Sequence, residues 1–189
     1  MIAGHNVIAA IRNLRFRNVP AQWLFTLGLS VLLVTLPFAI PLDGRPHADG
    51  LQFLGRFHPL LVHLPIGMLV LLALLELAGT TRLALREAAG FVLLLALASG
   101  AITFVFGILL AYGSGVMGAT VTRHLWGGIA LLVELMLCVA VRPTWLSGQV
   151  HRIYPSLLAL TLLTLTWTAH QVAASMGERT SLMCRPSKC

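Results

Sequence analysis

The chain has 189 residues, of which 58% are hydrophobic and only 10% charged, with a mean hydropathy of +0.89. Its 6 acidic residues cannot solvate a globular surface, since a soluble domain carries about 25% charged residues. The formal charge of +7 is scattered between apolar runs, which excludes nucleic acid as a partner and is what membrane topology requires.

Residues 1–20 form a basic segment with Arg12, Arg15 and Arg17. Val7, Ile11 and Leu14 share one helical face, so this segment is either an interfacial helix or a disordered start that fixes topology. It is not read as a cleavable signal peptide. The apolar run from Ala21 exceeds a signal's hydrophobic region, and no clean small-x-small site follows it.

Five stretches reach the ~20 apolar residues that a spanning helix needs: 21–41, 59–79, 88–113, 124–141 and 153–174. Pro-Leu-Asp-Gly-Arg-Pro, Gly79-Thr-Thr-Arg, Gly113-Ser-Gly and Arg142-Pro-Thr-Trp separate them. Lipid offers no partner to a backbone amide, so each span must be a helix, and the ten-residue alternation of a β-barrel is absent. The expected fold is an all-α integral membrane bundle of five transmembrane helices. It forms one domain over residues 21–174, followed by a short outer tail, 175–189.

Basic residues orient the bundle. With the N-terminus inside, Arg12, Arg15, Arg17, Arg82, Arg86, Arg142 and Arg152 are cytoplasmic, against Arg45, Arg56 and Arg123 outside. The tail adds Arg179, Arg185 and Lys188 to the outer side. The expectation is N-in, C-out, in a bacterial inner (cytoplasmic) membrane.

That orientation gathers His58, His63, His124 and His170 at the outer face. Spans two and four begin there and span five ends there. Polar side chains in spans usually face the bundle interior, a cavity or a cofactor, and imidazole ligates haem iron, zinc and copper. All four are candidate cofactor-binding residues, with His63, His124 and His170 as candidate ligands of haem iron or a pigment metal. The five-residue spacing of His58 and His63 leaves them about 140° apart on a helix, with His63 roughly 7 Å deeper. The deeper His63 is therefore preferred as ligand and His58 is placed at the rim. Pro59 suits a first helical turn, and Pro65 removes a backbone bond and predicts a kink.

Other polar groups carry blander expectations. Glu134 should face the bundle as a hydrogen-bonded carboxyl. Thr161, Thr164 and Thr168 form a stripe that suits helix association. Gly100 and Gly107 allow close approach, by a helix or a flat macrocycle, with helix packing preferred. Trp23, Trp126 and Trp167 fit aromatic belts. Cys138 is expected to be buried and inert. Cys184 and Cys189 could pair, and no c-type haem attachment motif is present.

The stretch Gly55-Arg-Phe-His-Pro-Leu-Leu-Val-His-Leu-Pro-Ile-Gly resembles a bacterial family of membrane domains of unknown function marked by H-P-x-x-V-H-F-P. With Arg123-His-Leu-Trp-Gly-Gly and Leu-Thr-Trp-Thr-Ala-His-Gln, residues 51–171 are similar to the membrane anchor that precedes planctomycete-type cytochrome c domains. The resemblance implies a respiratory or redox association and no defined activity. Similar anchors continue after His-Gln with Gly-Gly-Ser-Leu-Thr-His-Gly-Glu and a cytochrome domain. This chain instead reads Val172-Ala-Ala-Ser-Met-Gly-Glu-Arg, which suggests a frameshift in a longer ancestor, decidable from the gene.

Three functional readings follow. The first is a non-catalytic membrane subunit or anchor of a larger redox complex, respiratory or photosynthetic, with lipids and other subunits as partners. The second is a b-type haem module with bis-His ligation; haem b or a chlorophyll-type pigment is the cofactor expected if one binds. A permease ranks last, because no inverted repeat or broken-helix pair is visible. No Ser-His-Asp set, paired acids or phosphate loop suggests catalysis.

Overall fold

The computed structural model describes residues 19–40, 45–47, 49–115, 118–147 and 152–183. Every regular element among them is helical. The elements are α1 (Val19–Ala39), α2 (Asp49–Gly55), α3 (His58–Leu61), α4 (His63–Ala78), α5 (Leu83–Ser114), α6 (Ala119–Leu146) and α7 (Ile153–Met183). Elements α2 to α4 follow one another as a segmented rod, so five rods make up the bundle. Among the described residues three helices are long and apolar enough to cross a membrane, over Asp49–Ala78, Ala84–Ser114 and Ala119–Leu146. A shorter apolar helix covers Thr26–Ala39. The expectations for residues 1–18, Cys184 and Cys189 lie outside the described residues. The last helix runs on to Met183, so residues 175–183 prolong it. No proline interrupts the chain there before Pro186.

The surface is that of a protein solvated by hydrocarbon. Phe38, Leu60, Leu77 and Leu163 are 68–79% exposed, on three different rods. Lipid tails are as apolar as leucine, so helix association here rests on close packing and hydrogen bonds rather than on escape from water.

Both kinds of contact join the segmented rod to α5. Glycines allow the closest approaches: a Cβ at Gly55 would land on the Leu110 backbone, and one at Gly113 would lie 2.5 Å from the Gln52 amide nitrogen. The segmentation itself has a chemical cause. Pro59 stands in the first turn of α3, and Pro65, buried in the first turns of α4, has no N–H to give to the carbonyl of Leu61. That carbonyl instead accepts the Thr103 hydroxyl of α5 at 3.2 Å. The predicted irregularity at Pro65 is therefore real, as a turn at Val62 between α3 and α4.

The core has two parts. Leu69 and Leu72 of α4 meet Ala89, Val92, Leu93 and Ala96 of α5, Leu135, Cys138 and Val141 of α6, and Tyr154 and Leu158 of α7. Closer to the histidine-bearing end, Phe104, Ile108, Ile129 and Leu132 form a second cluster, flanked by Leu33, Leu36 and Ile40 from α1 and its end. Gly100 lets Leu132 come within 3.1 Å of where its Cβ would be. This is the helix packing expected of that glycine.

Candidate functional site

All four histidines collect at one end of the bundle, but they divide into an inward pair and two outward rings. His58 and His124 face one another, with ring centroids 6.1 Å apart and planes at 83°. His58 Nδ1 is 2.9 Å from the carbonyl of Thr103, the residue whose hydroxyl caps Leu61. Its ring lies over Gly107, where a Cβ would come within 2.9 Å of Cε1. His124 Nδ1 faces the Thr168 carbonyl at 3.4 Å. If each Nδ1–H is donated to its carbonyl, each Nε2 keeps its lone pair, the arrangement usual for ligating histidines.

His63 and His170 are exposed. His63, at the start of α4, folds back on α3, with Nδ1 2.9 Å from the Pro59 carbonyl. The placement expected from depth is thus reversed: His58 is the half-buried ring and His63 the exposed one. Depth along the axis says nothing of direction, and the angular offset of about 140° turns His63 outward once His58 points in. Nor do His63, His124 and His170 converge as a set. Among the described residues no three His, Cys, Asp or Glu side chains are grouped to hold a metal ion. Gly107 accommodates His58, and Trp23, Trp126 and Trp167 are each partly exposed, at 38–47%.

A second polar centre lies at the opposite end, and composition gave no hint of it. Glu76 of α4 is buried, and its Oε1 accepts from Arg142 Nε at 3.0 Å and from the Tyr154 hydroxyl at 2.7 Å. Arg142 Nη2 also donates to the Arg86 carbonyl, and Gly90 makes room for the guanidinium. The Arg86 guanidinium in turn lies 4.3 Å over Trp145, whose ring stacks on Tyr154 at 4.7 Å. Four helices are thereby tied through one carboxylate. Removing either member of such an ion pair costs about 3–5 kcal/mol, because the other charge is stranded.

Between the two ends, Thr164 donates to Glu134 at 2.9 Å, so Glu134 faces the bundle as expected. Cys138 is buried, its sulfur 3.9 Å from the Thr161 hydroxyl. Thr168 presses on Gly127, where a Cβ would sit 2.5 Å from its Oγ1. The threonine stripe does join α6 to α7.

These features define a helical membrane bundle with a polar seam and two polar ends. The chain belongs to the DUF2231 family of predicted membrane proteins, whose model matches residues 56–182, from the turn before His58 to the end of α7. No curated protein and no solved structure matches it.

Proposed function

We propose that the chain is a multi-pass subunit of a larger redox complex in a bacterial inner membrane, with five spans, N-in and C-out, and without catalysis of its own. The observation that carries this reading is the exposure of His63 and His170 beside apolar neighbours. Leu60 and Leu64 flank His63, and Leu163 and Trp167 precede His170, all of them exposed. An imidazole on a lipid-facing surface is costly unless something polar covers it. Two such rings at one end mark a face that another subunit or headgroup covers. The resemblance to cytochrome c anchors supports a redox partner, and the basic residues support the orientation.

The inward pair supports a second reading, a b-type haem or chlorophyll-type pigment held by His58 and His124. The two rings, with centroids 6.1 Å apart, are the only two of the four histidines that face one another, and they would hold such a group if it bound. Bound haem would supply one-electron transfer, its potential set by axial ligation and the apolar surround. The chain's own part would be to fix both imidazoles through the Thr103 and Thr168 carbonyls.

Native electrophoresis in mild detergent, with a reduced-minus-oxidised spectrum of each band, tests both readings. Co-migration with larger haem-containing subunits is expected, and its loss in His63→Ala with His170→Ala would locate the docking face. A monodisperse monomer that itself carries haem, lost in His58→Ala, would defeat the subunit reading in favour of the second.

A further inference from the structure

Polar groups do not stop at the two ends of the bundle. On α6, His124, Gly127, Glu134, Cys138 and Arg142 recur at helical intervals along one face. On α7, Tyr154, Thr161, Thr164, Thr168 and Gln171 do the same. The two rows meet in order. Arg123 donates to Gln171 at 3.4 Å, His124 faces Thr168, Thr164 donates to Glu134, Cys138 meets Thr161, and Tyr154 reaches the Glu76–Arg142 pair. Hydrogen bonds of this kind also hold two helices together in lipid. Here a row of side chains able to exchange protons runs the length of the contact.

The carboxylates make the row more than packing. Oε2 of Glu76 and Oε2 of Glu134 are both buried with no hydrogen-bond partner among the described residues. Leaving a buried acceptor unmatched costs about 1–3 kcal/mol. Each unmatched oxygen is open to a proton or to a further hydrogen bond. A carboxyl that alternately gains and loses a proton cannot match both oxygens in both states. Glu134 stands about 12 Å along the axis from Arg142 and about 15 Å from His124, near the middle of the seam. Thr161, Thr164 and Thr168 occupy the intervals on either side. Thr161 and Thr168 now donate to carbonyls one turn back and can re-aim by rotation about χ1.

We propose that the α6–α7 seam conducts protons between the Glu76–Arg142–Tyr154 cluster and the His58–His124 pair, with Glu134 as the obligatory intermediate carrier. Glu134 takes a proton from the chain of hydroxyls and water on one side and releases it on the other. Only O–H and N–H bonds change, and one positive charge crosses per proton. The imposed gradient sets the direction. The titratable or charged groups along the path are His58, Glu76, Arg86, Arg123, His124, Cys138, Arg142 and Tyr154. This inference is independent of the subunit and haem readings.

The test uses the full chain in liposomes loaded with a pH-sensitive dye, under a potassium diffusion potential set by valinomycin. Wild-type protein should acidify or alkalinise the lumen well above the rate of empty liposomes, with the sign of the potential. Glu134→Gln preserves the bond from Thr164 and should lower the flux at least tenfold, whereas Gly28→Ala, which meets nothing within 4 Å, should not change it. Wild-type flux no greater than that of empty liposomes, or undiminished in Glu134→Gln, overturns the proposal. Should Glu134→Gln fail to fold, dicyclohexylcarbodiimide, which attacks protonated carboxyls in apolar surroundings, decides. Labelling mapped to Glu134 should abolish the flux, and flux persisting after complete labelling there overturns it.

Discussion

The imidazole of His58 fills the space that a side chain on residue 107 would need, its Cε1 2.9 Å from the position of a Cβ there. The helix that carries the His-Pro motif and the helix that carries Gly107 are therefore mutually specific. Neither can be altered at this crossing without moving the other.

Gly107→Ala should displace the ring and break its bond to the Thr103 carbonyl. The expected loss is about 1–3 kcal/mol, typical of overpacking at a tight contact. Denaturant or SDS unfolding of the detergent-solubilised protein checks it, with Gly67→Ala as the reference, since nothing lies within 4 Å of that position. Equal stability of the two variants would mean that His58 is not held where the structure places it.

Arg142→Ala should be the more damaging change, because it strands the buried Glu76 carboxylate. The expected loss is about 3–5 kcal/mol, enough to remove folded protein from the membrane fraction. Arg142→Gln combined with Glu76→Gln removes both charges and should recover most of that loss. If the double variant is no better than Arg142→Ala, the guanidinium's bond to the Arg86 carbonyl is the dominant contact instead.

Topology is checked with reporters. A fusion after Met183 should report a periplasmic location, and one placed in the turn at Thr80 and Thr81 a cytoplasmic one. The reverse pattern would leave the bundle intact and transfer the histidines to the inner face.

The helical character of the chain was legible because composition alone leaves few alternatives, and the separators at Gly79 and Gly113 lie at observed helix ends, whereas Arg142-Pro-Thr-Trp is helical and α6 runs on to Leu146. That the histidines lie at one end of the bundle was legible too, since it needs only the parity of the spans. Their directions were not. The turn at Arg56–Phe57 and the break at Val62 decide which ring points inward, and both depend on contacts with α5. Glu76 lies one turn from the Gly79 loop, where a carboxylate at a helix end gives no sign in the sequence that it is buried. Arg142, taken with the other arginines, speaks in the sequence only to orientation. The signal available was that Glu134, Cys138 and Arg142 recur every four residues on one helical face, which points a cation into the bundle and asks for an anion opposite.

The carbonyl freed by Pro65 also bears on how the protein is made. Its acceptor site at Leu61 and its donor at Thr103 are separated by 42 positions in the chain. During synthesis the second rod therefore enters the bilayer with one backbone oxygen unsatisfied, at a cost of several kcal/mol in hydrocarbon. Complete pairing of the second rod's backbone is thereby tied to the arrival of α5.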